Sequence, residues 1–148
     1  MSFRPPLFLL LLLLTACNRN SDAQLQAKLP GVWQTTESQD GDPAKGQINA
    51  THTSTFIVAP DGKFDCVAHS TSRTDGSTWT NNTSGTWEVR NGLLIDTITR
   101  GDNTNAPLPV IWTLRILRAD DKELVLKYEP GNFGGSPTNE LVLHKLDK

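Results

Sequence analysis

Residues 110–129 read VIWTLRILRADDKELVLKYE, two alternating runs joined by a short acidic turn. Val110, Trp112, Leu114 and Ile116 recur at every second position, and Leu124, Leu126 and Tyr128 do the same beyond the turn Ala119-Asp120-Asp121-Lys122. The positions between them carry Thr113, Arg115, Lys127 and Glu129. Successive side chains of a strand point to opposite faces, so the pattern predicts a hairpin of Val110–Arg118 and Glu123–Glu129 with one dry side and one wet side.

The same signals continue outward from this hairpin. Strands are expected at Gly31–Glu37, Thr51–Ala59, Lys63–Arg73, Thr78–Val89 and Leu93–Thr99, and a last one at Glu140–Leu146. Tight-turn residues separate several of them: Pro60-Asp61-Gly62-Lys63, Thr74-Asp75-Gly76-Ser77 and Arg90-Asn91-Gly92. The stretch Asn81–Gly85 is expected to be irregular within its strand. Ser21 or Asp22 is placed to cap a brief helix through Ala23–Lys28, which Pro30 ends. The fold class is therefore all-β: eight antiparallel strands in simple succession, an up-and-down meander closed into a small barrel. Strands near the hairpin are apolar on one face, whereas Thr51–Thr55 offers only Thr and Ser beside His52 before Phe56 and Val58. An interior built from such unequal halves either leaves a pocket or closes over polar groups at an open rim.

Composition agrees with one domain. The chain has 148 residues with 11 Gly and 9 Pro, which disfavours long helices. Fourteen Lys and Arg against 16 Asp and Glu give a charge of -2, with no basic excess for nucleic acid. Two cysteines exclude a disulfide scaffold, and 36% hydrophobic residues exclude a polytopic membrane protein.

The N-terminus reads as an address. Arg4 precedes Leu7–Leu14, eight apolar residues. As a helix they span about 12 Å against roughly 30 Å of hydrocarbon core, too short to cross a membrane. Leu14-Thr15-Ala16-Cys17 then resembles the lipobox of bacterial lipoproteins. The resemblance implies cleavage between Ala16 and Cys17, lipidation of the Cys17 thiol and anchoring of the domain in the cell envelope by lipid alone. Asn18, rather than Asp, after that cysteine implies the outer membrane, facing the periplasm, if the host is Gram-negative. The expected organisation is a signal peptide at 1–16, a lipidated tether at 17–24 and the barrel domain at 25–148. Cys66 is then left without a partner; Phe64, Cys66 and Ala68 share a strand face and His69 takes the other, which reads as an inert core cysteine.

A second resemblance rests on three short motifs: Leu29-Pro30-Gly31-Val32-Trp33 behind the helix, Phe56 with Pro60-Asp61-Gly62-Lys63-Phe64, and Gly85-Thr86-Trp87 before Asn91-Gly92. Together they resemble lipocalin-like, calycin-like barrels of small bacterial lipoproteins. The resemblance implies that Trp33 packs across the closed end, with Trp87 as a second structural residue. It also implies a basic residue of the last strand stacked on Trp33, either His144 or Lys145.

No catalytic constellation is evident. His52, His69 and His144 fall on separate strands without metal-ligand spacing, and Asp120-Asp121-Lys122-Glu123 lacks the alternating ligands and Gly of a calcium loop. Gly131-Asn132-Phe133-Gly134-Gly135-Ser136 precedes Pro137 and a strand, not the helix that phosphate binding needs. The expectation is a non-enzyme with no cofactor and no metal. Its barrel is expected to bind a small, mostly apolar ligand on a wall of Phe56, Trp112, Leu114, Leu126 and Tyr128, with Trp79 near the mouth. The alternative is a protein-binding envelope factor, an inhibitor, immunity-type or assembly accessory, using loops 38–47, 100–109 and 130–137.

Overall fold

The helix forms where its cap is. In the computed structural model, which describes residues 21–40, 49–102, 107–130 and 140–147, Ser21 caps helix α1 (Asp22–Lys28). The Ser21 hydroxyl accepts from Gln24 N–H, and the Gln24 side chain accepts from Ser21 N–H, a reciprocal capping box. Residues 22–24 are thus the first turn of α1 rather than the end of a tether. Leu25 and the C-capping Leu29 are buried against the barrel. Fully burying Leu29 stabilises this docking by about 2 kcal/mol.

Eight strands follow: β1 (Gly31–Gln39), β2 (Ala50–Val58), β3 (Lys63–Ser72), β4 (Thr78–Arg90), β5 (Leu93–Gly101), β6 (Val110–Ala119), β7 (Glu123–Tyr128) and β8 (Glu140–Lys145). Each pairs antiparallel with the next, and β8 returns to β1 through Trp33↔Lys145 and Gln34↔His144 to close the barrel. The seam is short: these two residue pairs alone join β8 to β1 among the described residues, so Thr35–Gln39 of β1 have no register partner on β8. The strand ends differ from the sequence reading by a residue or two. Ser38 and Gln39 belong to β1, and Arg100 and Gly101 to β5, rather than to loops. The expected signal segment, the expected cleavage and lipidation positions Ala16 and Cys17, and residues 41–47, 103–106 and 131–137 of the three proposed recognition loops lie outside the described residues.

Two irregularities shape the barrel. The expected disturbance in β4 is a register shift at Ser84/Gly85. A Cβ on Gly85 would run into the Thr97 carbonyl oxygen, so this position needs glycine for close approach of β5. A second shift, between Ile116 and Arg118, exchanges the faces of β6 beyond it, so that Ala119 turns inward and Arg118 outward. There the outer face of the hairpin departs from the simple dry-and-wet reading. Val125, outward by parity, is buried at 7% exposure in a shallow outer depression it shares with Leu117, Arg118 and Val142.

An up-and-down meander gathers its connections at two ends. The short turns 59–62, 91–92 and 120–122 lie at the end that α1 covers; the strand ends Gln39, Ala50, Gly101, Val110, Tyr128 and Glu140 lie at the other. Asp22 of the helix accepts from Asn91 N–H at 2.6 Å and Gly92 N–H at 2.8 Å, tying α1 to the β4–β5 turn.

Candidate functional site

The closed end is built around Trp33, 1% exposed. Its Nε1–H donates to the Leu29 carbonyl at 2.7 Å, which anchors strand and helix to each other. The Lys145 ammonium lies 4.9 Å from the Trp33 ring centroid and donates to the Lys28 carbonyl at 3.3 Å. Of the two basic candidates on the last strand, Lys145 meets the tryptophan. His144, one residue earlier, points outward and lies 3.8 Å from the Glu123 carboxylate. Gly31 makes room for this arrangement. Its φ is +145°, and a Cβ there would sit 2.5 Å from Lys145 Cε. Trp87 is the second pin, its Nε1–H donating to the Ala59 carbonyl in the β2–β3 turn at 3.0 Å.

Above this plug lies an interior cavity of about 50 Å³. A water needs roughly 10–15 Å³ on this measure, so the space suits a few waters or a short, narrow chain. Phe56, Trp112, Leu114, Leu126 and Tyr128 all line it, together with Trp33 and Trp87. Trp79 does not. It pairs in register with Ser70, nearer the open end, its ring edge-on to His52 with centroids 6.1 Å apart. Trp112 and Tyr128 meet edge to face at 6.4 Å, a favourable aromatic geometry that holds both rings against the cavity.

One polar group breaks the apolar lining, and it was not singled out from the sequence. Asp96 of β5 lines the cavity between its register partners, Trp87 on β4 and Trp112 on β6. It makes no hydrogen bond or ion pair with any described residue, and burial pushes its carboxyl up to about 7. A legible signal existed: in Leu94-Ile95-Asp96-Thr97-Ile98 it is the lone acid on the face shared by Leu94 and Ile98. Trp112 Nε1 beside it is buried without a partner among the described residues, as is Asn81 Oδ1 on the open side. Buried polar groups are normally satisfied, so each such exception calls for a reason.

The open half is polar inside. Ser70 Oγ lies 2.7 Å from His52 Nδ1, and Gln39 Oε1 lies 3.2 Å from His52 Nε2. Thr35, Ser70 and Ser72 are buried in the same layers. His69 faces outward to the Thr80 hydroxyl at 3.0 Å, so the three histidines do not converge. No group of three or more His, Cys, Asp or Glu side chains among the described residues is arranged to hold a metal ion. Cys66 is buried, and desolvation pushes its thiol up to about 11, which is the opposite of an activated nucleophile.

Comparison with known proteins finds no matching family model and no matching curated protein. The reading of the site therefore rests on its geometry.

Proposed function

We propose that the chain is a lipid-anchored envelope protein whose lipocalin-like barrel binds a small, narrow, mostly apolar ligand without chemical change. The observation that carries this reading is the cavity: lined by aromatic and aliphatic side chains above a plugged end, with Asp96 among them and with Trp112 Nε1 lacking a partner among the described residues. Ligand sites combine apolar walls with a few placed polar groups in this way. The lipobox-like Leu14-Thr15-Ala16-Cys17 supports anchoring through Cys17, and Asn18 supports the outer membrane if the host is Gram-negative. The small volume confines the ligand to a short chain or to the tail of a longer molecule whose remainder leaves through the polar mouth.

Native mass spectrometry of the protein, extracted gently from its own envelope, tests this. The expected result is a mass above that of the lipidated polypeptide, with the excess released by organic solvent and lost in a Trp112→Ala/Tyr128→Ala double variant. A bare mass for the wild type, with no small molecule retained, counts against the reading. A protein-binding role is favoured by one observation: the strand ends Gln39, Ala50, Gly101, Val110, Tyr128 and Glu140, which the three longest connections join, all lie at the open end. A stoichiometric protein crosslinked from Phe133 or Asn105 in the envelope would support it.

A further inference from the structure

We infer that the Asp96 site takes the protonated amine of a short aliphatic ammonium ligand, with its chain running into the apolar cavity. This deepens the proposed binding role and rests on it. Asp96 is the only charged side chain lining the cavity among the described residues, and no described cation faces it. An acid without a partner in such a place is costly once ionised, so the site gains most from a ligand that brings a positive charge. The walls suit the same charge. Six aromatic side chains line the cavity: Trp33, Phe56, Phe64, Trp87, Trp112 and Tyr128. Aromatic faces attract ammonium groups, most strongly where water is excluded.

The neighbours of Asp96 leave it in control of the charge. Its register partners Trp87 and Trp112 do not titrate. Across the interior, the Cys66 thiol is pushed up to about 11 and the Tyr128 phenol to about 12, so both stay neutral near pH 7. The next titratable groups on the inward parity are Glu37 on β1 and His52 on β2, paired in register toward the open end. A neutral Asp96 must lose its proton as the ammonium enters, so binding and proton release are coupled.

The test compares n-butylamine, 1-butanol and butyrate, three probes of nearly equal shape and different head charge. Titrations of the full chain in detergent follow the indole N–H resonance of Trp112 by NMR. The expected result is that n-butylamine binds at least tenfold more tightly than 1-butanol at pH 8, and that butyrate binds weakest. With Asp96 titrating near 7, n-butylamine affinity should fall about a hundredfold between pH 8 and pH 5, while 1-butanol affinity stays level. Asp96→Asn should lose both the preference for n-butylamine over 1-butanol and the pH dependence. Equal binding of 1-butanol and n-butylamine would overturn the ammonium inference and leave the apolar pocket standing. So would a pH dependence that survives Asp96→Asn, which would place the response on Glu37 or His52. Failure of all three probes to move the Trp112 resonance would overturn this inference together with the binding reading.

Discussion

The two ends of the barrel are made from the same eight strands and differ in what fills them. At the α1 end, Leu29, Trp33, Trp87, Leu124 and Leu143 are each buried at 4% exposure or less, and both indoles donate to backbone carbonyls. At the open end the inward positions include Thr35, His52, Ser70 and Asn81; His52 meets the Ser70 hydroxyl, and Asn81 Oδ1 has no partner among the described residues. Burying large apolar groups yields more net free energy than exchanging water hydrogen bonds for internal ones. Stability should therefore concentrate at the closed end, leaving the open end free to vary. Asp96 lies where the two regimes meet.

The sharpest way to break this contrast is at the plug. Trp33→Ala removes the buried ring, the Leu29 bond and the platform for Lys145, and should cost about 3–5 kcal/mol in urea unfolding. A loss below about 1 kcal/mol would mean that α1 and β1 do not organise the closed end.

Asp96 should produce an effect of similar size that depends on pH. Its carboxyl rises from 3.8 to about 7 on folding, so the folded state binds the proton more tightly. Its contribution to stability is complete below about pH 4 and declines as pH rises through the folded value near 7, a loss of up to about 4 kcal/mol. Asp96→Asn should remove this slope and be more stable than the wild type at pH 8. Equal pH–stability curves for the two proteins would show that the carboxyl is solvated rather than buried.

Gly31→Ala sets the backbone requirement against the close approach of Lys145. It should cost about 1–3 kcal/mol in thermal or urea unfolding, more than an alanine at an ordinary strand glycine. Pairing it with Lys145→Ala tests the cause: relief of the clash should recover part of the loss, whereas simple additivity would assign the whole cost to the positive φ.

The smallest change should come from the open end. His52→Ala loses its contacts to Ser70 and Gln39 and should cost about 1 kcal/mol by the same urea measurement. If it matched Trp33→Ala, the division between a structural end and a permissive end would fail.

Much of this fold was legible in the chain because antiparallel neighbours leave local traces. Ser21 or Asp22 marks the helix start, Asn91-Gly92 marks a hairpin turn, and the alternation from Val110 to Tyr128 names the inward faces of β6 and β7. The cavity wall was readable for the same reason, since parity alone separates Trp112, Leu114, Leu126 and Tyr128 from their outward neighbours. Asp96 escaped because aspartate ordinarily belongs to turns and solvent, and its inward parity acquires meaning only when no cation is found opposite it. Trp79 shares the inward parity but sits nearer the open end than the cavity, a matter of height along the barrel that alternation does not encode.

By itself the sequence determined the all-β class, the order of the elements and which side chains face inward on most strands. Only the tertiary structure decided that Lys145 rather than His144 meets Trp33, because that depends on the β8–β1 register, and a one-residue slip sends every side chain of the strand to the other face. It alone decided that Gly31 and Gly85 are needed for close approach, that the interior narrows to about 50 Å³, and that one carboxyl lines it without a cation facing it among the described residues. Those properties come from closing the sheet on itself, which brings together residues with no relation along the chain.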